Sequence, residues 1–452
     1  MSFAESFVWG AAASSYQIEG AAFEDGKGPS VWDIHCQKPG AIFRGESGLV
    51  ACDHYNRYTE DIDLMSTIGL QAYRFSISWP RVLPMGVGDV NTKGLDFYDR
   101  LVDALLEKNI QPYVTLYHWD MPHELFCRGG WLNRCSADWF AEYTKVVVNK
   151  LSDRVHHWMT FNEPQVFVEC GYHNGAHAPG LKYDISELTR LAHHVLLAHG
   201  KSVRVIRDEA GESAQVGFVV APVNSVPMDE SVANIEAARM EMFAVHDNDL
   251  WTNGWWLDPI FLGRYPDDGS VFGGRMHDFT ADDMDIISHP IDFLGVNIYY
   301  GNFFQQGECG KPQQVAFNPG FPTTALNWYV VPEAMYWTPR FLFDRYKMPM
   351  YIMENGLSCR DWVSQDGRVH DSNRIDFMTR YLQGLHRASE DGVDMRGYFY
   401  WSIMDNFEWA QGYKERFGLI HVDFSTLKRT LKDSALFYKE VIASRGANIQ
   451  LS

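Results

Sequence analysis

The chain has 452 residues, of which 46% are hydrophobic and 14% aromatic, enough for a large buried core. Its formal net charge of -19 argues against a nucleic-acid or anionic-membrane partner, since both need a basic surface. The seven cysteines are widely spaced with no CxxC pair, which argues against a zinc or redox motif; with no secretory leader and no apolar run of membrane-spanning length, a cytoplasmic protein with reduced thiols is expected.

The first apolar run, Phe7–Ala12, reads as a buried strand leading into Ser14–Gly20, where Gln17 would sit above its end. Gly26 to Asp53 is Gly- and Pro-rich without a sustained period and reads as loop. Ala72–Ile77 is a second strand, stopped by Trp79-Pro80. Tyr98, Leu101, Val102, Leu105 and Leu106 then recur at helical spacing. Pro112–Tyr117 is the third strand, delivering His118 and Trp119, and Trp139, Phe140, Tyr143, Val146 and Val147 mark the buried face of another helix. Trp158–Glu163 is the fourth strand, Gln215–Val220 the fifth and Phe293–Asn297 the sixth. The seventh strand is Tyr351–Glu354, followed by the turn signal Asn355-Gly356 and a helical pattern through Phe377, Met378, Tyr381, Leu382 and Leu385; the eighth is Gly397–Trp401. The stretches 299–340 and 403–417 are long, aromatic and weakly periodic, and read as functional loops.

Length alone would allow two or three domains. Alternation of strand and helix implies parallel strands joined by crossover helices, and eight strands favour closure. The expectation is an α/β protein with one domain over residues 1–452: a (β/α)8 TIM barrel with long loops at its C-terminal face.

Glu163 and Glu354 each end an apolar strand, so both would open on the face where barrel enzymes keep their sites. Each alone could equally cap the next helix or pair with an arginine. Together, two such carboxylates suit acid/base or covalent chemistry on a glycosidic bond. Arg74, at the end of the second strand, is either a neighbour that keeps a carboxylate ionised or a structural ion pair of the interior. Sugars offer flat C–H faces to aromatic rings and hydroxyls to planar carboxylates and amides. A cluster of Gln17, His118, Trp119, Asn162, Trp401, Glu408 and Trp409 therefore suits a pyranose, although most of the 15 tryptophans belong in the core. The pairs His156-His157, His193-His194 and His173/His177 have no matching acids nearby, so no metal is expected, and Gly86-Val87-Gly88 lacks the frame of a phosphate loop.

The chain resembles the family 1 glycoside hydrolases, the retaining β-glucosidases, over nearly its whole length. Its carriers are Phe7–Gly10 with Ser15–Gly20, Tyr73–Arg81, Tyr117–Asp120, Thr160–Pro164, Tyr351–Gly356 and Asn406–Trp409. The resemblance implies that Glu163 is the acid/base and Glu354 the nucleophile. It also implies that Gln17, His118, Asn162, Glu408 and Trp409 hold the glycone, with Trp401 beneath the ring. Asn297 matches too, as does Tyr299, expected to hydrogen-bond the nucleophile; Trp328 matches an aglycone platform, and Trp119 and Phe417 complete the substrate-binding set. Cys170 and His173 fall on the entrance loop. Two departures stand out: Ile298, where an aromatic is common, and Val220-Ala221-Pro222, where an asparagine is common.

The function so implied is exo-hydrolysis of β-glucosides and cello-oligosaccharides, extending to β-fucosides and β-galactosides, with no cofactor. Glu163 should titrate high beside Glu354, and Arg74 and Tyr299 should hold the Glu354 pKa down. Two alternatives are a 6-phospho-β-glucosidase and a catalytically silent sugar-binding barrel. Glu408 opposes the first, because a carboxylate would repel a phosphate, and the intact pair Glu163 and Glu354 opposes the second.

Overall fold

Eight runs of five to seven residues, nearly all buried, form the strands of a closed parallel barrel in a computed structural model that describes residues 2–246, 249–266 and 279–449. The strands are β1 (Val8–Ala12), β2 (Ala72–Ser76), β3 (Gln111–Tyr117), β4 (His157–Asn162), β5 (Gln215–Val220), β6 (Phe293–Asn297), β7 (Met350–Asn355) and β8 (Met395–Trp401). Each pairs with its sequence neighbours, and β1 closes the ring against β8 with Val8 opposite Gly397 and Ala12 opposite Trp401. Burial on both faces explains why these strands read as apolar runs rather than as alternating ones.

A helix follows each strand: α1 (His54–Ile68), α2 (Thr92–Glu107), α3 (Ser136–Leu151), α4 (Ile185–Ala210), α5 (Ala281–Ile287), α6 (Ala334–Tyr346), α7 (Ser372–Glu390) and α8 (Asp433–Ser444). Helix α4 starts at a capping box, the Asp184 carboxylate accepting from the backbone of Ser186 and Glu187 while Glu187 reaches back to Asp184. In α3 the buried face is Phe140, Tyr143, Thr144, Val147, Val148 and Leu151. Trp139 and Val146, assigned to that face from their spacing, are only partly buried. The helix is turned by about one position, which Thr144 permits by donating to the Phe140 carbonyl and meeting Ser202 of α4.

The barrel interior is a second, smaller core. Ala12, Ala72, Tyr113, Met159, Val219, Phe293, Met353 and Phe399 pack there below Trp401 and Phe417. Two glycines make room for its rings: a Cβ on Gly10 would lie 2.4 Å from the Phe399 ring, and one on Gly217 would lie 2.1 Å from Phe293.

Two stretches expected as loop hold regular structure. Between Gly26 and Asp53 a short helix, Val31–His35, is closed by a capping box from Ser30 and Asp33. Within 299–340, strands Asn302–Gln306 and Pro312–Gln314 join Ser225–Pro227 in a small sheet beside the barrel, and α6 begins at Ala334. Runs of three to five residues between Gly and Pro carry too little period to be read as strands. The stretch 403–417 is irregular as expected, apart from one 3-10 turn at Trp409–Gln411. It is anchored from below: Asp405, fully buried, accepts from Lys432 at 2.7 Å and Arg416 at 2.6 Å.

Candidate active site

Side chains alternate across a strand, so consecutive residues reach the same face only where the register breaks. It breaks in the two strands that matter. Between Met159 and Asn162 the pairing of β4 with β5 shifts. Thr160 and Phe161 both face the helices, meeting His199 and Phe140, and Asn162 then turns inward to Arg74. Between Ile352 and Glu354 the pairing of β7 with β6 shifts, so that Met353 and Glu354 both face the interior. Glu163 then leaves β4 with a left-handed backbone, φ 45°, as the residue preceding the helix Pro164–Val168. Trp119 (φ 80°) and Trp409 (φ 48°) at the same mouth share that sparsely populated region, which costs non-glycine residues on the order of 1–2 kcal/mol each.

The two acids are 7% and 3% exposed and belong to one hydrogen-bonded set. Arg74 Nη1 donates to Glu354 Oε1 at 2.6 Å and to the Met353 carbonyl, while its Nη2 donates to Asn162 Oδ1 at 2.6 Å and its Nε to Thr115. Tyr299 O–H donates to Glu354 Oε2 at 2.7 Å. Asn297 Nδ2 donates to Glu163 Oε1 at 2.9 Å and to Asn162 Oδ1 at 3.0 Å, leaving its own Oδ1 buried without a partner. Asn162 Nδ2 meets His118 Nε2 at 3.2 Å, and Trp119 Nε1 donates to the Asn162 carbonyl. Both readings of Arg74 hold: it is a buried ion pair and the cation beside a strand-end carboxylate.

Burial, and next the charge of Glu354, push Glu163 well above the usual carboxyl range, against the opposing pull of Asn297 and Arg74. Burial raises Glu354 too; Arg74, Tyr299 and Asn297 oppose it and leave a smaller rise. The contacts that were to hold Glu354 down are present, but desolvation outweighs them in the net direction. With Arg74 and Tyr299 on its two oxygens, Glu354 is the member of the pair that ionises first. His118, buried and beside Arg74, is held well below the usual imidazole range and is neutral.

These groups open on a cavity of about 390 Å³ lined by His118, Trp119, Glu163, Asn297, Tyr299, Trp328, Glu354, Trp401, Glu408, Trp409 and Phe417 among others. The imidazole of His118 lies parallel to Trp401 at 5.7 Å, Trp119 lies against Trp409 at 4.6 Å, and Tyr299 lies against Trp328 at 5.4 Å. Gln17, Asn162 and Arg74 do not line the cavity. Gln17 is fully buried behind Glu408, its Nε2 committed to Asn406 Oδ1 and the Phe407 carbonyl and 3.5 Å from Glu408 Oε2. Cys170 lines the cavity, whereas His173 pairs with Glu169 at 2.7 Å outside it.

Sequence reasoning missed His177, Asn224, Trp251 and Tyr300 in the lining. Trp251 donates its indole N–H to the Ala221 carbonyl, closing the wall where Ala221 and Pro222 present no polar side chain. It comes from a stretch without period, and no signal in the sequence finds it. Tyr300 packs on Trp328 at 5.6 Å, and its place next to Tyr299 was the available hint.

A closed parallel barrel whose mouth sets two buried carboxylic acids among aromatic rings and fixed amides is the framework of a hydrolase for polyhydroxylated substrates. Glycosyl hydrolase family 1 matches residues 1–447. The 1,4-β-D-glucan glucohydrolase of Thermotoga neapolitana is 46% identical over 98% of this chain and 99% of its own. A bifunctional β-D-glucosidase/β-D-fucosidase of Bifidobacterium breve is 41% identical over 99% of each. Among solved structures, the β-glucosidase from Thermotoga maritima in complex with glucoimidazole superposes with a TM-score of 0.90 at 44% identity, covering 98% of this chain and 99% of that one. The chain belongs to glycosyl hydrolase family 1.

Proposed function

We propose that this enzyme is a retaining, exo-acting β-glucosidase that removes terminal β-D-glucosyl residues from small β-glucosides and cello-oligosaccharides. The observation that carries the reading is the division of labour between its two acids. Glu354 has Arg74 and Tyr299 on its two oxygens, which favours the ionised nucleophile. Glu163 is buried, accepts from the neutral amide of Asn297 and has a negative neighbour, and burial with that neighbour outweighs the pull of Arg74, which favours the protonated acid.

Glu163 protonates the departing glycosidic oxygen as Glu354 attacks the anomeric carbon, forming a glycosyl ester. Esterification removes the Glu354 charge, so Glu163 loses the repulsion that kept its proton and serves as base toward the incoming water. Asn297 stands beside the reacting carbon with Asn162 behind it, Trp401 lies under the ring, and Glu408 with Gln17 behind it receives the far hydroxyls. Trp328 and Tyr300 form the aglycone side. Acceptance of β-fucosides fits the relative named for both glucosidase and fucosidase activities, and β-galactosides are expected to enter the same site. Glu408, a carboxylate where a 6-phosphate would lie, disfavours phosphorylated glycones.

The test is hydrolysis of a chromogenic β-glucoside. Activity should vanish in Glu354→Ala and return with added azide as a glycosyl azide. Full activity without azide would assign the nucleophile elsewhere.

A further inference from the structure

Beside the cavity lies a carboxyl that the mechanism does not use. Glu169 begins the turn Glu169–His173, directly after the helix Pro164–Val168 that Glu163 leads into, and it is buried. Its Oε1 accepts from the Leu250 N–H at 2.9 Å, and its Oε2 meets His173 Nδ1 at 2.7 Å. Leu250 is fully buried, so its N–H needs an acceptor from the protein, and Glu169 supplies one. The carboxyl thereby clasps the segment around Leu250 to the turn that follows the helix of Glu163.

The next residue of that segment is Trp251, which lines the cavity. Its indole donates to the Ala221 carbonyl at 3.1 Å. Two positions further, Asn253 accepts from the Val223 N–H at 2.9 Å and donates to the Val223 carbonyl at 3.1 Å. Asn224 follows, and its carbonyl accepts from Asn302 at 2.9 Å, two residues after Tyr300, which packs on Trp328. Trp251, Ala221, Asn224, Tyr300 and Trp328 are therefore one linked wall of the cavity, held at one end by Glu169 and at the other reaching the aglycone platform.

We propose that Glu169 is a positioning residue for aglycone selection: by clasping Leu250 it holds Trp251 in the wall that meets the leaving group, and so favours β-glucosides whose leaving group is a second sugar ring over those with a small one. The inference rests on the reading of this enzyme as a retaining β-glucosidase. Glu169 does not reach the cavity itself; Cys170, the next residue, lines it, while the Glu169 carboxyl turns to Leu250. The glycosyl ester on Glu354 no longer contains the aglycone. A residue that acts only through this wall therefore alters how substrates react with the free enzyme and leaves hydrolysis of the ester alone. What the clasp needs is an acceptor for one N–H, which an amide oxygen supplies as well as a carboxyl.

The measurement is kcat/KM for cellobiose and for methyl β-glucoside, together with kcat for 2,4-dinitrophenyl β-glucoside, whose good leaving group makes hydrolysis of the ester rate-limiting. In Glu169→Leu the cellobiose-to-methyl ratio of kcat/KM should fall by about tenfold, while kcat on the dinitrophenyl substrate stays within about twofold of the wild type. Glu169→Gln, which keeps an acceptor for Leu250, should restore the ratio. Trp251→Ala should lower the ratio as well, and adding Glu169→Leu to it should lower it little further. A uniform loss over all three substrates, or an unchanged ratio in a folded Glu169→Leu, overturns the proposal. An unchanged ratio in Trp251→Ala overturns it whether or not the leucine variant folds. If NMR of the wild-type reaction shows α-glucose as the first sugar released from cellobiose, the underlying reading as a retaining enzyme has failed instead.

Discussion

Arg74 reaches from β2 across the barrel to β7 and donates to Glu354 at 2.6 Å, and with its other arm it fixes Asn162 of β4. One guanidinium thus sets both the charge of Glu354 and the side-chain amide that precedes Glu163. Only a planar fork does both at once, which separates arginine from lysine here.

Replacing Arg74 by Met should leave Glu354 buried without its cation. Breaking one side of such a pair costs about 3–5 kcal/mol, so urea melts should show a clearly less stable protein. The surviving activity should have its acid limb displaced to higher pH, because Glu354 would hold its proton longer. Arg74→Lys should recover much of the limb position and little of kcat, since the Asn162 contact stays lost.

Tyr299→Phe removes one donor to Glu354 and little volume. A hydrogen bond to a charged group is worth about 1.5–3 kcal/mol, which corresponds to a loss of roughly 10- to 150-fold in kcat/KM. The same variant should move the acid limb upward. A limb that stays in place would mean that the hydroxyl only positions the ring.

The pH–rate profile should be a bell. Glu354 must be ionised, so activity is lost as pH falls through its titration, and this limb should lie above the ordinary glutamate range because burial raises it. Glu163 must be protonated, so activity is lost as pH rises through its higher titration. In Glu163→Gln the alkaline limb should flatten for substrates with good leaving groups, read from initial rates. An unchanged limb would assign it to another group.

Glu408→Ser should lose about 1.5–3 kcal/mol of transition-state stabilisation for each charged hydrogen bond removed from the glycone. Comparing a β-glucoside with its 6-phosphate should show faster turnover of the unphosphorylated substrate by the wild type. The reverse order would contradict the glycone assignment.

Lys432, fully buried, joins Asp405 at 2.7 Å to Asp361 at 2.5 Å and so ties the loop 403–417 to the stretch before α7. Lys432→Met should destabilise the protein by several kcal/mol, because two buried carboxylates lose their shared cation. Thermal melts would show it, and a melting temperature within a degree of the wild type would argue against this anchoring.

The barrel is legible in the sequence because each strand is buried on both faces, and three of them lead to a chemically distinct residue: Gln17 lies just past β1, Glu163 just past β4, and Glu354 is the penultimate residue of β7. The direction of those residues is not legible. Asn162 and Glu354 face inward only because the register breaks at Met159–Asn162 and Ile352–Glu354, and nothing in either run marks the break. Trp251 reaches the cavity from a stretch whose path depends on the whole wall around Ala221, so it stays invisible to local pattern. The net rise of Glu354 was hidden for a similar reason: a charge partner can be inferred from one sequence position, whereas depth of burial belongs to the assembled fold.

The central claim is that Glu354 becomes covalently glycosylated while Glu163 manages the proton. Its most direct test is inactivation by an activated 2-deoxy-2-fluoro-β-glucoside, followed by proteolysis and mass mapping. The account predicts one fluoroglucosyl adduct per chain, carried on Glu354 within the peptide containing Tyr351–Asn355. An adduct on another residue, or turnover-dependent inactivation with no adduct, would contradict it.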